Sequence, residues 1–218
     1  MVSPFDNITT LQRHKLFKLL HVHIYKYEKN QEILPTAKAD NIICIILKGK
    51  AEMINIDYNG NELLLEHLSE NSVFGTSMNP INSSNCEIIA KEYTEVVIIN
   101  LNTLLNEENT NHFYYNIFIR NLFEIVNSKF RTANERIRVL EQKTIRDRLL
   151  EYFEIEYKKT HSKTIELPFN LKDFADFLRT NRSAMFRELK YMKEDKFITI
   201  NGKKVTLLYK SNSLHSLF

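Results

Sequence analysis

Hydrophobic and polar residues alternate in short segments between residues 21 and 100, and this spacing predicts β-strands. HVHIYKYE alternates with the two-residue period of a strand, and NIICIILKGKAEMINID predicts two strands on either side of Lys48-Gly49-Lys50. ELLLEHL and CEIIAKEYTEVVIIN extend the series to at least six strands. Asn59-Gly60 is a typical hairpin turn, in which both central residues need a positive φ. Short strands joined by such turns predict a compact antiparallel roll or barrel.

Beyond residue 100 the hydrophobic period becomes that of helices. Asn102 is predicted to cap a short helix, and a long helix is predicted from about His112 to about Leu140. Apolar residues of the long helix recur at intervals of four and then three, which is the pattern of a coiled-coil seam. The residues of this predicted dimer seam are Ile119, Phe123, Val126, Phe130, Ala133, Ile137 and Leu140.

A second apolar stripe on the same helix, Phe118, Leu122 and Ile125, is predicted to pack on the roll. One broad buried face on a monomer would give a similar pattern. A helix with two apolar edges needs two partners, however. This favours a dimer in which one edge packs on the second helix and the other edge packs on the roll.

The remaining chain predicts helices followed by a hairpin. Residues 144–158 form an amphipathic helix, and the polar stretch KKTHSK predicts a loop over residues 158–163. Asn170 is predicted to cap a short helix that ends at a tight turn, Arg179-Thr180, and Asn181 to cap a second helix that runs to about Met192. Residues 197–209 then predict a β-hairpin around Asn201-Gly202.

Two helices joined by a tight turn and followed by a hairpin are the layout of a winged helix-turn-helix. The second helix buries Met185, Leu189 and Met192 and exposes a polar face near its N-terminus, where side chains can read base edges in the major groove. The predicted base-reading residues are Arg182, Ser183 and Arg187. The predicted phosphate-binding residues are Asn181, Lys190, Lys203 and Lys204. A helical pair that merely packs between proteins is the alternative interpretation.

Charge is distributed in a way that favours the DNA interpretation. Residues 1–139 contain 14 Lys+Arg and 16 Asp+Glu, a net charge of −2, whereas residues 140–218 contain 16 and 11, a net charge of +5. A basic C-terminal part suits a polyanionic partner. The absence of a long apolar stretch and of a signal-peptide pattern predicts a cytoplasmic protein that has no membrane partner.

The order of these motifs resembles the Crp/Fnr family over nearly the whole chain. LLHVHIYKYEKNQEIL, IICIILKGKAEMINIDYNGNELLLEHL and SVFGTSM follow the family's β-roll, and NERIRVLEQKTIRDRLLEYF resembles the end of its dimer helix. TNRSAMFRELKYMKEDKFI resembles the recognition helix, although the cyclic AMP-responsive members have Glu at the position of Ser183.

The resemblance implies an α+β protein in three parts. These are an antiparallel β-roll of the cyclic nucleotide-binding, jelly-roll type (residues 1–110), a dimerisation helix (111–140) and a winged helix-turn-helix (141–218). It further implies a homodimer that binds double-stranded DNA at an inverted repeat, responds to a small-molecule effector and contacts RNA polymerase. The loop over residues 158–163 is a candidate polymerase contact.

Known effectors of the family are disfavoured by the residues at their sites. Cyclic AMP needs a Gly-Glu-Leu segment and an Arg-Ser or Arg-Thr pair for its phosphate, but this chain has Gly75-Thr76-Ser77 and Asn85-Cys86. Two cysteines cannot supply the four ligands of an iron–sulfur cluster, and no histidine directly follows Phe74-Gly75, where the haem-binding members have one. The effector is therefore unknown, and the alternatives are a small metabolite, a peptide-like molecule and no ligand at all. The predicted pocket comprises Phe74, Gly75, Thr76, Ser77, Asn85, Cys86, Phe130, Ala133 and Asn134.

Catalytic and metal sites are not predicted. His21, His23 and Glu28 distantly resemble the metal motif of cupin dioxygenases, but the later histidine of that motif is absent and structural histidines are favoured. The sequence also lacks a phosphate-cradling glycine-rich loop, a nucleophile elbow and an HExxH motif. A regulator is favoured over a protein-docking sensor module, and a cupin-type enzyme is a distant third.

Overall fold

The computed structural model describes residues 3–34, 41–60, 62–76, 86–167 and 171–209. The chain divides into two compact units, Met1–Ser128 and Lys129–Phe218, whose boundary falls within the long helix. Each unit has its own hydrophobic core. Within the described residues, no helix combines the length and the apolar character that crossing a bilayer requires.

The N-terminal unit contains a β-roll of two antiparallel sheets. Its strands are β1 His23–Tyr27, β2 Ile42–Lys48, β3 Ala51–Ile56, β4 Glu62–Leu68, β5 Val73–Phe74, β6 Cys86–Ala90 and β7 Thr94–Asn100. One sheet has the order β1-β7-β2-β5 and the other β4-β3-β6. Helix α1, Thr10–Leu19, precedes the roll and begins with a capping box in which Thr9 and Gln12 bond each other's backbone N–H.

The central strand β2 is buried on both faces, which explains its uninterrupted apolar run. Cys44 and Ile46 face the core between the two sheets, whereas Ile43 and Ile45 face a second core on the other side of the strand. Helices α1 and α3 close that second core. The predicted stripe on the long helix is confirmed there: Phe118 and Leu122 are buried in this core and Ile125 packs against it.

Two turns of the roll differ in how they use glycine. At Gly49 the chain crosses from one sheet to the other with φ of +92°, and a Cβ at this position would lie 2.4 Å from the carbonyl oxygen of Tyr93. The Asn59-Gly60 turn joins β3 to β4 as predicted, but only Gly60 has a positive φ. The expectation of a turn with two such residues is wrong, because the Gly60 N–H bonds the Asp57 carbonyl and closes a β-turn whose central residues are Tyr58 and Asn59.

Helices follow the roll. Helix α2, Leu101–Leu104, is capped by Asn100 rather than by Asn102, because the Asn100 side chain accepts hydrogen bonds from the N–H groups of Asn102 and Thr103. After a short 3₁₀ helix, Glu107–Asn111, the long helix α3 spans Phe113–Glu141. Its predicted bounds are correct to within one residue.

The C-terminal unit is a winged helix-turn-helix with a core of its own. Its elements after α3 are α4 Ile145–Thr160, β8 Thr164–Glu166, α5 Leu171–Phe177, α6 Arg182–Glu194, β9 Ile198–Asn201 and β10 Lys204–Leu207. The strands form one antiparallel sheet in the order β8-β10-β9. The predicted loop over residues 158–163 is too long, since its first three residues complete α4. The predicted cap Asn170 lies outside the described residues.

Replacement of Gly49 by alanine tests the crossing between the sheets. Gly49→Ala combines a positive φ with the approach of Tyr93, so we expect a loss of about 3 kcal/mol in the free energy of unfolding. Gly60→Ala is the matched control, because Gly60 has φ of +81° but nothing within 4 Å of its Cβ position; we expect a loss of only about 1 kcal/mol. Urea unfolding measures both, and equal losses would contradict the close approach at Gly49.

Candidate nucleic-acid interface

Helix α6 presents opposite faces to the protein core and to solvent. Met185, Leu189 and Met192 are buried in the core of the C-terminal unit, as predicted. Their spacing of four and three residues keeps them on one side of the helix. The predicted DNA-contacting residues of this helix are consequently exposed on the other side; they are Arg182, Ser183, Arg187 and Lys190.

The N-terminus of α6 is fixed by Asn181, which was predicted both as its cap and as a phosphate ligand. The Oδ1 atom of Asn181 accepts hydrogen bonds from the Ser183 N–H at 2.8 Å and from the Ser183 hydroxyl at 2.5 Å. The Ser183 hydroxyl therefore donates within the protein and can only accept from an outside group. The amide N–H groups of Asn181 stay available to an acceptor such as a phosphate oxygen.

A phenylalanine on the outer face of α6 was not predicted as a site residue. Phe186 is 38% exposed, and the guanidinium of Arg182 lies 5.4 Å from the centre of its ring. Such stacking holds an arginine side chain in an extended position and leaves its N–H groups directed outward. The sequence signal for Phe186 was an aromatic residue on an otherwise polar helix face.

The remaining cations of this surface differ in their surroundings. Arg187 forms no ion pair within the described residues. The Nζ atom of Lys190, by contrast, lies 3.8 Å from the Oε1 atom of Glu194, the last residue of α6. Lys203 and Lys204 are both exposed in the hairpin that joins β9 to β10, where Lys204 pairs with Asn201. Gly202 supplies the positive φ, +58°, that this hairpin needs.

Arg146 of α4 connects helix α6 to the rest of the unit through hydrogen bonds. Its Nε donates to Glu188 on α6 at 2.5 Å and its Nη2 donates to Asp195 at the α6 C-cap at 2.8 Å. Its guanidinium also lies 5.8 Å from the ring centre of Phe197. These bonds, chiefly that to Glu188, raise the pKa of the Arg146 guanidinium. Sequence reasoning missed this residue because its partners are 42 and 49 positions away.

The predicted effector-pocket residues belong to both units, and within each unit those in the described part of the chain have different surroundings. Phe74 and Cys86 are buried in the core between the sheets. Gly75 has φ of +136° beside the Ile42 carbonyl, and the Thr76 hydroxyl accepts a hydrogen bond from the Ile42 N–H. Ser77 and Asn85 lie outside the described residues, and the other predicted members, which belong to the C-terminal unit, are all exposed: Phe130, Ala133 and Asn134.

The predicted dimer seam is mostly uncovered in the single chain. Its most exposed large residues are Phe123 at 65%, Val126 at 41%, Phe130 at 66% and Ile137 at 52%. Ala133 is also exposed, while Leu140 is half-buried. Ile119 is the exception, because it is half-buried and packs against the core below the roll.

Histidines and cysteines of the N-terminal unit lie in different surroundings. His21, His23 and Glu28 are exposed, and the two histidines line a cleft of about 380 Å³. Within the described residues, no three His, Cys, Asp or Glu side chains are placed to hold a metal ion. Cys44 and Cys86 are buried free thiols, and burial raises the pKa of both.

Comparison with known proteins identifies the fold of the whole chain. Residues 25–111 match the family model of the cyclic nucleotide-binding domain. The chain is similar to a CprK variant complexed with OCPA, with a TM-score of 0.68 and 18% identity over 94% of this chain and 93% of that one. It is also similar to a CooA mutant from Carboxydothermus hydrogenoformans, with a TM-score of 0.60 and 18% identity over 91% and 88% of the two chains.

A third similar structure is the Thermus thermophilus Catabolite Activator Protein, with a TM-score of 0.52 and 16% identity over 98% of this chain and 97% of that one. The curated proteins give no significant match. Each structural match extends over both units, so the predicted combination of a β-roll, a long helix and a winged helix-turn-helix is confirmed.

The Arg146 network can be tested in the free protein. Arg146→Gln removes the hydrogen bonds to Glu188 and Asp195, and we expect a loss of about 1 kcal/mol in the free energy of unfolding because the guanidinium is one-third exposed. The control Arg187→Gln removes the same charge from an arginine that has no ion pair in the described part of the chain, and it should leave stability within about 0.5 kcal/mol. Equal effects in urea unfolding would contradict a fastening role for Arg146.

Proposed function

We propose that this protein is a sequence-specific DNA-binding transcription regulator of the Crp/Fnr type; the matched cyclic nucleotide-binding domain and the fold shared with the similar structures support this proposal. The observation that carries the proposal is the outward face of α6. Two arginines on this face are exposed and have no ion pairs among the described residues, and the opposite face of the helix is a buried apolar stripe. A helix built in this way can enter the major groove with its N-terminal residues against the base edges.

Base reading falls to three kinds of side chain on this face. Arg182 and Arg187 would each donate two hydrogen bonds to one guanine, at its O6 and N7 atoms, which is the commonest specific contact to DNA. Ser183 accepts from the amino group of adenine or cytosine, because its own hydrogen bonds Asn181. Phe186 is suited to a thymine methyl group.

Phosphate binding positions the helix without reading sequence. The proposed phosphate ligands are the amide of Asn181 at the N-terminus of α6, Lys190 further along the same helix, and Lys203 and Lys204 in the wing. Partial pairing with Glu194 makes Lys190 the weakest of these ligands. The net charge of +5 over residues 140–218 supplies long-range attraction to the polyanion.

A second copy of the chain is the proposed occupant of the dimer seam. Phe123, Phe130 and Ile137 follow the heptad spacing and expose large apolar surfaces that a paired helix would cover. Two α3 helices in parallel would present two α6 helices with twofold symmetry. The operator would then be an inverted repeat with half-site centres about 34 Å apart, one turn of DNA.

The proposed effector is a small molecule other than cyclic AMP. Asn85-Cys86 stands where the cyclic AMP-binding members have an arginine, and the buried Cys86 cannot replace that charge. The similar CprK structure is complexed with OCPA, which shows that this fold accommodates other ligands. The residues of the predicted pocket remain the proposed site.

Four further parts of the proposal follow from the sequence and from the resemblance. The division into an effector domain (1–110), a dimerisation helix (111–140) and a DNA-binding domain (141–218) is retained as a functional division. The regulator would act in the cytoplasm by contacting RNA polymerase, and it would have no catalytic activity.

A second candidate is a sensor module whose C-terminal unit docks on protein. Phe186 and Tyr191, both exposed on α6, favour it, because aromatic residues are enriched at protein interfaces. The two functions separate in a gel shift with random-sequence DNA, since only the regulator has a salt-sensitive affinity for it.

The two arginines of α6 test the DNA interpretation. Arg182→Ala and Arg187→Ala should each weaken binding to a DNA site selected by the protein by about 1–3 kcal/mol and relax base choice at one position. Selection from a random pool followed by a titration measures both effects. The control Arg120→Ala removes an exposed arginine of the N-terminal unit and should leave affinity unchanged. Unchanged affinity and base choice in both α6 variants would contradict the proposal that α6 contacts the bases.

The dimer seam is tested by placing charges on it. The double variant Phe123→Asp, Phe130→Asp should be monomeric in sedimentation, because two carboxylates on each helix would face each other across the seam. The control double variant Leu11→Asp, Tyr58→Asp alters two exposed apolar residues outside the seam and should stay dimeric. A dimeric seam variant, or a monomeric wild type, would contradict the proposed interface.

A further inference from the structure

The outward face of α6 carries a large apolar side chain among polar ones. Phe186 is 38% exposed. It lies four residues after Arg182, three after Ser183 and four before Lys190. Residues three and four apart are neighbours on the surface of a helix. Phe186 is therefore surrounded by three side chains that are proposed to contact DNA, and DNA bound by them would cover its ring.

A contact within α6 links the ring of Phe186 to Arg182. The guanidinium carbon of Arg182 lies 5.4 Å from the ring centre, which is within the range of a cation–π contact. An Arg182 side chain that keeps this contact while it bonds a guanine places the ring close to the same base. Because one base-pair step is about 3.4 Å, the ring then lies within about two base pairs of that guanine.

The edges of the base pairs offer one kind of group that suits an apolar ring. In the major groove each base pair presents hydrogen-bond donors and acceptors, and thymine adds a methyl group on C5. A donor or acceptor covered by the ring would lose its bonds to water and gain no partner, which is unfavourable. A methyl group covered by the ring is removed from water, which is favourable. The ring of Phe186 therefore selects for a methyl group.

We propose that Phe186 recognises one pyrimidine of the operator by its 5-methyl group, so that thymine and 5-methylcytosine are preferred over uracil and cytosine at this position. Thymine and 5-methylcytosine carry this methyl group on the same ring atom, and phenylalanine has no donor or acceptor that would distinguish their other substituents. The inference rests on the DNA-binding function proposed above. It goes further because it makes binding sensitive to the methylation of cytosine.

Base analogues test the proposal because they change the methyl group without changing the base pairing. In DNA selected by the wild-type protein, each thymine of one half-site is replaced in turn by uracil. We expect uracil at one position to weaken binding about fourfold, which corresponds to one methyl group that is no longer buried. With a C·G pair placed at this position, 5-methylcytosine should bind about fourfold more tightly than cytosine.

Variants of Phe186 identify the side chain that senses the methyl group. In Phe186→Ala, thymine and uracil at this position should bind equally, whereas Phe186→Leu should keep part of the preference because leucine is also apolar. Tyr191→Ala is the matched control: Tyr191 is another exposed aromatic residue of α6, and its removal should leave the wild-type ratio. Each ratio compares two DNAs with one protein, so a smaller folded fraction in a variant does not alter it.

The place of the methyl-sensitive position tests the contact with Arg182. The guanine read by Arg182 is the one at which Arg182→Ala relaxes base choice. We expect the methyl-sensitive position within about two base pairs of this guanine, as the distance between the two side chains requires. A larger separation overturns the assignment of the methyl contact to Phe186.

The outcomes separate this inference from the function on which it rests. Equal binding of thymine and uracil at every position by the wild-type protein overturns the methyl contact, while selection of a DNA site still supports the regulator. A preference for thymine that persists in Phe186→Ala also overturns it, because another side chain then senses the methyl group. A wild-type protein that selects no DNA site overturns the proposed function and this inference together.

Discussion

The candidate site depends on the burial of one apolar stripe of α6. Met185, Leu189 and Met192 fill the core of the C-terminal unit, and their burial determines which side chains α6 can offer to solvent. Asn181 caps the N-terminus of the helix. Arg146 of α4 bonds Glu188 in the middle of the helix and Asp195 at its C-cap. The backbone that carries the outward arginines is therefore fixed by packing and hydrogen bonds within the protein, which would reduce the entropy lost in the proposed binding of DNA.

The proposed regulation would use both units, each of which has its own hydrophobic core. In the roll, β2 is buried on both faces and Phe74 and Cys86 belong to the core between the sheets, so a change at the predicted pocket would act on packed residues. In the C-terminal unit, the packing of α6 and its hydrogen bonds to Arg146 fix the surface that is proposed to bind DNA.

Local patterns were enough to predict most elements, because each is encoded by neighbouring residues. The bounds of α3 and the cap of α6 follow from apolar spacing and from Asn181. Features that depend on distant residues were missed: β8 forms only through pairing with β10, and Arg146 finds its partners on α6. Two details depend on backbone geometry that residue type alone leaves open. One is that Asn100 and not Asn102 caps α2, and the other is that only one residue of Asn59-Gly60 has a positive φ.

Guanine methylation protection is the most direct test of the central claim that α6 reads bases in the major groove. An arginine bonded to guanine N7 blocks methylation of that atom. On DNA selected by the protein, we expect protected guanines in two symmetric clusters about one helical turn apart. A methylation pattern identical to that of free DNA, at protein concentrations that saturate the site, would contradict the account.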